Sequence, residues 1–86
     1  MNKIRAFYNI ISNSFDVTDF TNFNTVKQTV NSLESLILQL DPNAVFTHKT
    51  AADKTKVWII VVHEENNKEY GIIVVLSREG YNISII

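Results

Sequence analysis

Two histidines and a group of three glutamates are the candidates for metal chemistry in this 86-residue chain. His48 and His63, together with Glu64, Glu65 or Glu69, offer the nitrogen and oxygen ligands of a zinc or hydrolytic site. Their spacing does not support such a site, because neither an HExxH sequence nor a closely spaced histidine pair occurs. We therefore expect no metal. The glutamates should be solvated near a hairpin turn, and the histidines should lie at the edges of separate strands.

The side chains that commonly act as nucleophiles lie in no recognisable motif. Cysteine is absent, no serine occupies a Gly-x-Ser-x-Gly sequence, and two glycines are too few for a phosphate-binding loop. An acid–base pair could form between Asp53 and His48 or Glu69, but no motif distinguishes these residues from the other charged ones. The sequence therefore predicts a protein without enzymatic activity and without a cofactor.

The balance of charge argues against nucleic-acid binding. Eight basic and nine acidic side chains give a net charge of −1, and they are spread along the chain. Lys3, Arg5 and Phe7 would share one face of an N-terminal strand, and basic and aromatic residues on a sheet do bind single strands. The glycine-aromatic signature of an RNA-recognition motif is missing, however. Nucleic-acid binding is therefore only an alternative function.

Length and composition predict a single domain over residues 1–86. The apolar fraction of 45% is that of a folded chain. The longest apolar run is far shorter than the about 20 residues that a membrane-spanning helix needs. The first residues also lack the apolar segment of a secretory signal. The expectation is a cytoplasmic protein without membrane contact.

The elements that would position a binding site are short apolar strands. Residues 57–62 and 72–76 are rich in β-branched and aromatic side chains, which favours strands. The polar connector His63–Glu69 is short enough to join them as an antiparallel hairpin. Further strands are predicted around Val45–Lys49 and over Tyr81–Ile86.

One helix is predicted before these strands. Asn22 or Asn24 is expected to cap its start, and Asp41-Pro42 is expected to end it. Its apolar residues are spaced by three or four positions and form one stripe, namely Phe23, Val26, Val30, Leu33, Ile37 and Leu40.

The N-terminal segment is consistent with two structures. Alternation over residues 4–11, a polar turn at residues 12–14 and renewed alternation at Phe15, Val17 and Asp19 favour a hairpin. The same segment contains a helical stripe, formed by Ile4, Phe7, Tyr8, Ile11 and Phe15. With the hairpin preferred, the predicted fold class is α+β with the order ββαβββ. One amphipathic helix would then pack on one face of an antiparallel sheet.

Both faces of the predicted central hairpin are apolar. Trp58 and Ile60 would point to one face, and Val57 and Ile59 to the other. A single helix covers only one face, so the second needs the N-terminal segment in helical form, a second copy of the chain or another protein. Leaving roughly several hundred Å² exposed would forgo several kcal/mol at about 25 cal/mol per Å². The chain is therefore predicted to act by association through a sheet face or edge.

Six residues are the candidates for contact with a partner: Trp58, Ile60, Tyr70, Ile72 and Tyr81 on the sheet, and Leu38 on the helix. Aromatic side chains are common anchors of protein interfaces. The other strand face, with Val57, Ile59, Ile73 and Val75, is expected to pack beneath the helix. A shift of one residue in register would exchange the two faces.

The predicted function is that of a small protein-binding module, with a homodimer as the expected assembly. A composition rich in Asn, Ile, Lys and Thr is typical of an AT-rich genome. Phages and mobile elements encode many small chains of this style. By analogy, the module is expected to inhibit a host protein, such as a CRISPR or restriction effector or a toxin. The alternatives are a nucleic-acid-binding accessory protein and a structural subunit of a homo-oligomer.

Overall fold

The computed structural model describes residues 3–16 and 19–86, in which two helices precede a four-stranded sheet. The elements are α1 (Lys3–Phe15), α2 (Phe23–Leu40), β1 (Val45–Thr50), β2 (Lys56–Glu65), β3 (Lys68–Ser77) and β4 (Gly80–Ile85). Each strand pairs antiparallel with its neighbour in sequence, so the order in the sheet is β1-β2-β3-β4. The predicted α+β class is confirmed, whereas the order is ααββββ rather than ββαβββ.

The N-terminal segment is a helix, so the hairpin predicted for it is wrong. Helical geometry collects Phe7, Ile11 and Phe15 into one buried stripe. The stripe packs against α2, β3 and β4, so that α1 joins α2 in the apolar layer that covers the sheet. A strand would instead have divided the apolar residues of this segment between two faces. Val17, which formed part of the predicted alternation, lies outside the described residues.

The second helix is confirmed, with the expected signals at both ends. The Asn22 side chain accepts a hydrogen bond from the Asn24 N–H at 3.1 Å, which satisfies one free donor of the first turn. The Asp41 N–H donates to the Ile37 carbonyl at 2.9 Å, and the chain leaves the helix there. The buried members of the predicted stripe are Val26, Val30, Leu33 and Ile37, whereas Leu40 is exposed.

The central hairpin is longer than predicted. Its connector is only Asn66-Asn67, whose φ angles of 55° and 64° are those of a two-residue turn with left-handed backbone. Glu64 and Glu65, which were expected in the turn, belong to β2. The ladder extends through them because its hydrogen bonds are made by the backbone and do not require apolar side chains.

The positive φ angles of this turn lead to a testable prediction. Asn67→Gly is expected to raise the free energy of unfolding by up to about 1 kcal/mol, because glycine adopts a positive φ without steric strain. Chemical denaturation measures the difference. Asn31→Gly is the matched control, since Asn31 is exposed within α2. There the same substitution is expected to lower stability by about 0.5 kcal/mol. A loss of stability for Asn67→Gly would contradict the turn.

The register of the sheet assigns its residues to two faces. On one face, Ile59 pairs with Val74, and both are fully buried beneath the helices. On the other face, Ile60 pairs with Ile73, and neither belongs to the core. We call this second side of the sheet the open face, because in the described part of the chain both helices pack on the opposite side.

Candidate functional site

The centre of the open face is an uncharged apolar surface. Ile60 is 40% exposed in the middle of β2, and Val45 and Ile86 are 58% and 69% exposed at its margins. The half-buried members are Trp58, Val62, Ile73 and Val75. None of these seven residues belongs to the cluster that forms the core. Continuous apolar surface of this kind commonly marks a contact site, so the open face is the strongest candidate for one.

A shallow groove crosses the open face beside the single tryptophan. It has a volume of about 370 Å³ and is lined mainly by Trp58, Ile60 and Ile73, with Thr47, His48 and Lys49 of β1 at its side. Trp58 lies between Lys49 and Val75 in the register, so it occupies the middle of the sheet rather than an edge. The groove offers a recess for an apolar side chain of a partner.

Gly71 makes the open face continuous near its margin. The Ile86 N–H donates a hydrogen bond to the Gly71 carbonyl at 2.8 Å. A Cβ on residue 71 would lie 3.0 Å from the Ile86 Cδ1, so the missing side chain of Gly71 is what lets Ile86 lie against β3. An alanine there would displace the end of a flexible side chain rather than the backbone. Ile86 thus extends the apolar surface over β3.

Charged residues lie at the two ends of the open face and have opposite signs. Lys49 and Lys56 occupy the end at which β2 begins, and Glu64 and Glu69 occupy the other end. All four are exposed. The eight-residue separation of Lys56 and Glu64 corresponds to about 26 Å along the strand. That distance exceeds the Debye length of about 8 Å at physiological salt, so the two ends act as independent charged surfaces.

Two of the six predicted contact residues, Trp58 and Ile60, lie on the open face. Their grouping with Ile72 is wrong, because the register pairs Ile60 with Ile73 and leaves Ile72 fully buried beneath the helices. Conversely, Ile73 and Val75, which were expected beneath the helix, lie on the open face. The two faces of β3 are therefore exchanged relative to the prediction.

The other three predicted contact residues lie on the helical side of the molecule. Tyr81 is half-buried, and its hydroxyl lies 3.1 Å from the Ser12 Oγ. Tyr70 stacks on His63 with 5.4 Å between the ring centroids. Leu38 is half-buried against the core. A role of any of the six residues in binding stays a prediction.

His63 is part of the core, although a position at a strand edge was expected. It is 2% exposed, with the Phe7 ring edge-on at 4.9 Å and the Tyr70 ring stacked on it. Its Nδ1 lies 3.8 Å from the Asp41 Oδ2, which is too long for a hydrogen bond. Neither ring nitrogen has a hydrogen-bond partner among the described residues. The imidazole thus acts mainly as an aromatic packing group.

The substitution His63→Phe is expected to raise the free energy of unfolding by on the order of 1 kcal/mol. It removes two buried nitrogens that lack partners and keeps an aromatic ring in contact with Phe7 and Tyr70. Thermal and chemical denaturation measure the change. His63→Ala is the control that empties the site, and it should cost about 2–4 kcal/mol. If His63→Phe is destabilising, the nitrogens take part in a polar interaction, and Asp41→Asn should then be destabilising too.

The candidate metal and acid–base residues are dispersed. Within residues 3–16 and 19–86, no three His, Cys, Asp or Glu side chains lie close enough to hold a metal ion. His48 is exposed on β1, whereas His63 is buried on β2. Asp53 accepts hydrogen bonds from the Thr55 hydroxyl and N–H, which lower its pKa and order the β1–β2 loop. His48 lies at the side of the groove on the open face, but Asp53 and Glu69 are not among the residues that line it, so the predicted acid–base pairs are not assembled there.

No protein-family model matches the chain, and no curated protein or solved structure matches it. Neither helix in the described ranges has the combination of length and hydrophobicity needed to span a bilayer. A function for the chain is therefore inferred from the shape, charge and exposure of the open face.

Proposed function

We propose that the chain is a non-enzymatic protein-binding module whose open face is the contact surface. The observation that supports this proposal is the continuous apolar surface around Ile60, which lies outside the core and opposite both helices. An uncharged centre with charged residues at its margins is also the usual anatomy of a protein interface. Removing such a surface from water favours association by about 25 cal/mol per Å², before the entropic cost of binding is subtracted.

The face is a better contact surface than the edges of the sheet. β1 and β4 are the edge strands, and each spans six residues. A short edge strand is one way in which proteins limit strand addition, and charged side chains such as Lys49 on β1 are another. The centre of the open face has no comparable protection.

Site-specific cross-linking tests the proposal. A photo-cross-linking amino acid is placed at Ile60, and in a separate variant at Leu36, which is 44% exposed on α2. The two positions have similar exposure and residue type but lie on opposite sides of the molecule. Irradiation in cells that express each variant should give a covalent protein adduct from position 60 and little or none from position 36. Equal yields from both positions, or no adduct from position 60, would refute the proposal.

The adduct also identifies the partner. Mass spectrometry distinguishes a second copy of the chain from a protein of different sequence. The inhibition of a host protein is the more specific form of the proposed function. It would be supported if the cross-linked protein were a defence effector or a toxin whose activity falls when the chain is added.

A further inference from the structure

We propose that the open face is occupied by a second copy of the chain, packed face to face about a two-fold axis that runs across the strands. This inference rests on the proposed function and names the partner. It follows from the charge pattern, because a homodimer requires a surface that is complementary to itself. The open face has one basic end and one acidic end, with an uncharged centre between them.

The direction of the axis follows from these charges. A two-fold axis across the strands reverses the strand direction and places β2 over β2 of the second copy. Lys56 of each copy then faces Glu64 of the other, which gives two attractive contacts by symmetry. An axis along the strands would place β2 over β3 instead. Glu64 would then face Glu69 of the second copy, and like charges would meet.

The centre of the face fits the same arrangement. Ile60 lies four residues from Lys56 and four from Glu64, so the axis passes close to it and to its cross-strand partner Ile73. The two copies would bring four isoleucine side chains together there. Sheets that pack face to face lie about 10 Å apart, a distance that side chains of this size fill.

The size of the face indicates a dimer of moderate affinity. Two strands of ten residues and two of six, about 4.8 Å apart and rising about 3.3 Å per residue, outline roughly 500 Å² per copy. Two copies would bury on the order of 1,000 Å², which is near the lower limit for a specific interface. The dimer should therefore dissociate on dilution, and the test has to cover a range of concentrations.

The first measurement follows mass and Trp58 fluorescence over the same concentrations. Light scattering should show a transition from 9.8 kDa to twice that mass. Trp58 is the only tryptophan, and it lies on the open face. As the dimer forms, its emission should therefore shift to shorter wavelength and be quenched less by acrylamide. A dimer built through the β1 edge would leave Trp58 accessible and would overturn the proposal.

The second measurement reverses the charge of one end at a time. An acidic variant carries Lys49→Glu and Lys56→Glu, and a basic variant carries Glu64→Lys and Glu69→Lys. Each variant alone should dimerise on the order of 10–100-fold more weakly than the wild type, because like charges would meet at both ends. An equimolar mixture should recover wild-type affinity, since residue 56 of each copy again faces an opposite charge at residue 64 of the other.

Two controls keep the test decisive. Arg5→Glu with Lys27→Glu makes the same change of charge on exposed residues of the helices and should dimerise like the wild type. Circular dichroism should show that all three variants fold. A charge-reversed variant that dimerises like the wild type would overturn the arrangement.

A wild-type chain that stays monomeric at every concentration would overturn the second copy as the occupant. If position 60 then cross-links to a different protein, the proposed function stands without the homodimer. If it cross-links to nothing, both proposals fail.

Discussion

Replacing Ile60 by lysine is expected to leave the chain folded and to weaken its self-association by at least about 100-fold. Ile60 is 40% exposed and lies outside the core, so the free energy of unfolding of the monomer should change by no more than about 1 kcal/mol. In the dimer, the two new ammonium groups would meet beside the two-fold axis. They would lose water there without gaining a partner of opposite charge.

Light scattering and sedimentation across a range of concentrations measure this loss. Leu36→Lys is the matched control, because Leu36 has similar exposure on α2 and lies away from the open face. Its dimerisation should equal that of the wild type. A cooperative loss of structure in Ile60→Lys would show that the open face is packed in the monomer, and would remove the basis of both proposals.

A second large effect is expected from the neighbouring residue. Ile59→Ala should lower the free energy of unfolding by about 2–5 kcal/mol, because Ile59 is fully buried beneath the helices and its loss leaves a cavity. Domains of this size have only about 5–15 kcal/mol of stability in total. Ile60→Ala makes the same chemical change one residue later on the opposite face. It should cost the monomer less than about 1 kcal/mol.

Urea denaturation of both variants, at a concentration low enough to keep them monomeric, measures the difference. The two variants share residue type, strand and substitution and differ only in the face of β2 that is changed. Comparing them therefore tests directly which face is packed in the monomer. Similar losses for Ile59→Ala and Ile60→Ala would mean that a further layer covers the open face within the same chain.

The sequence predicted the elements better than it predicted the faces. The stripe from Val26 to Ile37 and the cap at Asn22 identified α2, because these signals are local. The grouping of Trp58 with Ile72 was wrong because the polar connector was taken to be seven residues long. A two-residue turn at Asn66-Asn67 pairs Glu65 with Lys68 and thereby fixes every later pair of the hairpin.

The two-residue turn at Asn66-Asn67 was also the feature needed to locate the open face from the sequence. Once Ile60 is paired with Ile73, the basic and acidic ends of the open face follow from the positions of Lys56 and Glu64. The N-terminal segment could not be decided in this way, since Phe7 and Ile11 satisfy both helical and strand periods. Its structure depends on packing against β3 and β4, which is a tertiary rather than a local property.

The strand order has a consequence for how the chain reaches its native state. Every strand pairs with its neighbour in sequence, and the connections between strands are only two to five residues long. Little loop entropy has to be lost to form the sheet, so folding should be fast for a β-containing domain. Residues 57–62 and 72–76 are the segments most prone to aggregate, and they are each other's partners in the ladder. Closure of one tight turn therefore hides both segments from intermolecular pairing early in folding.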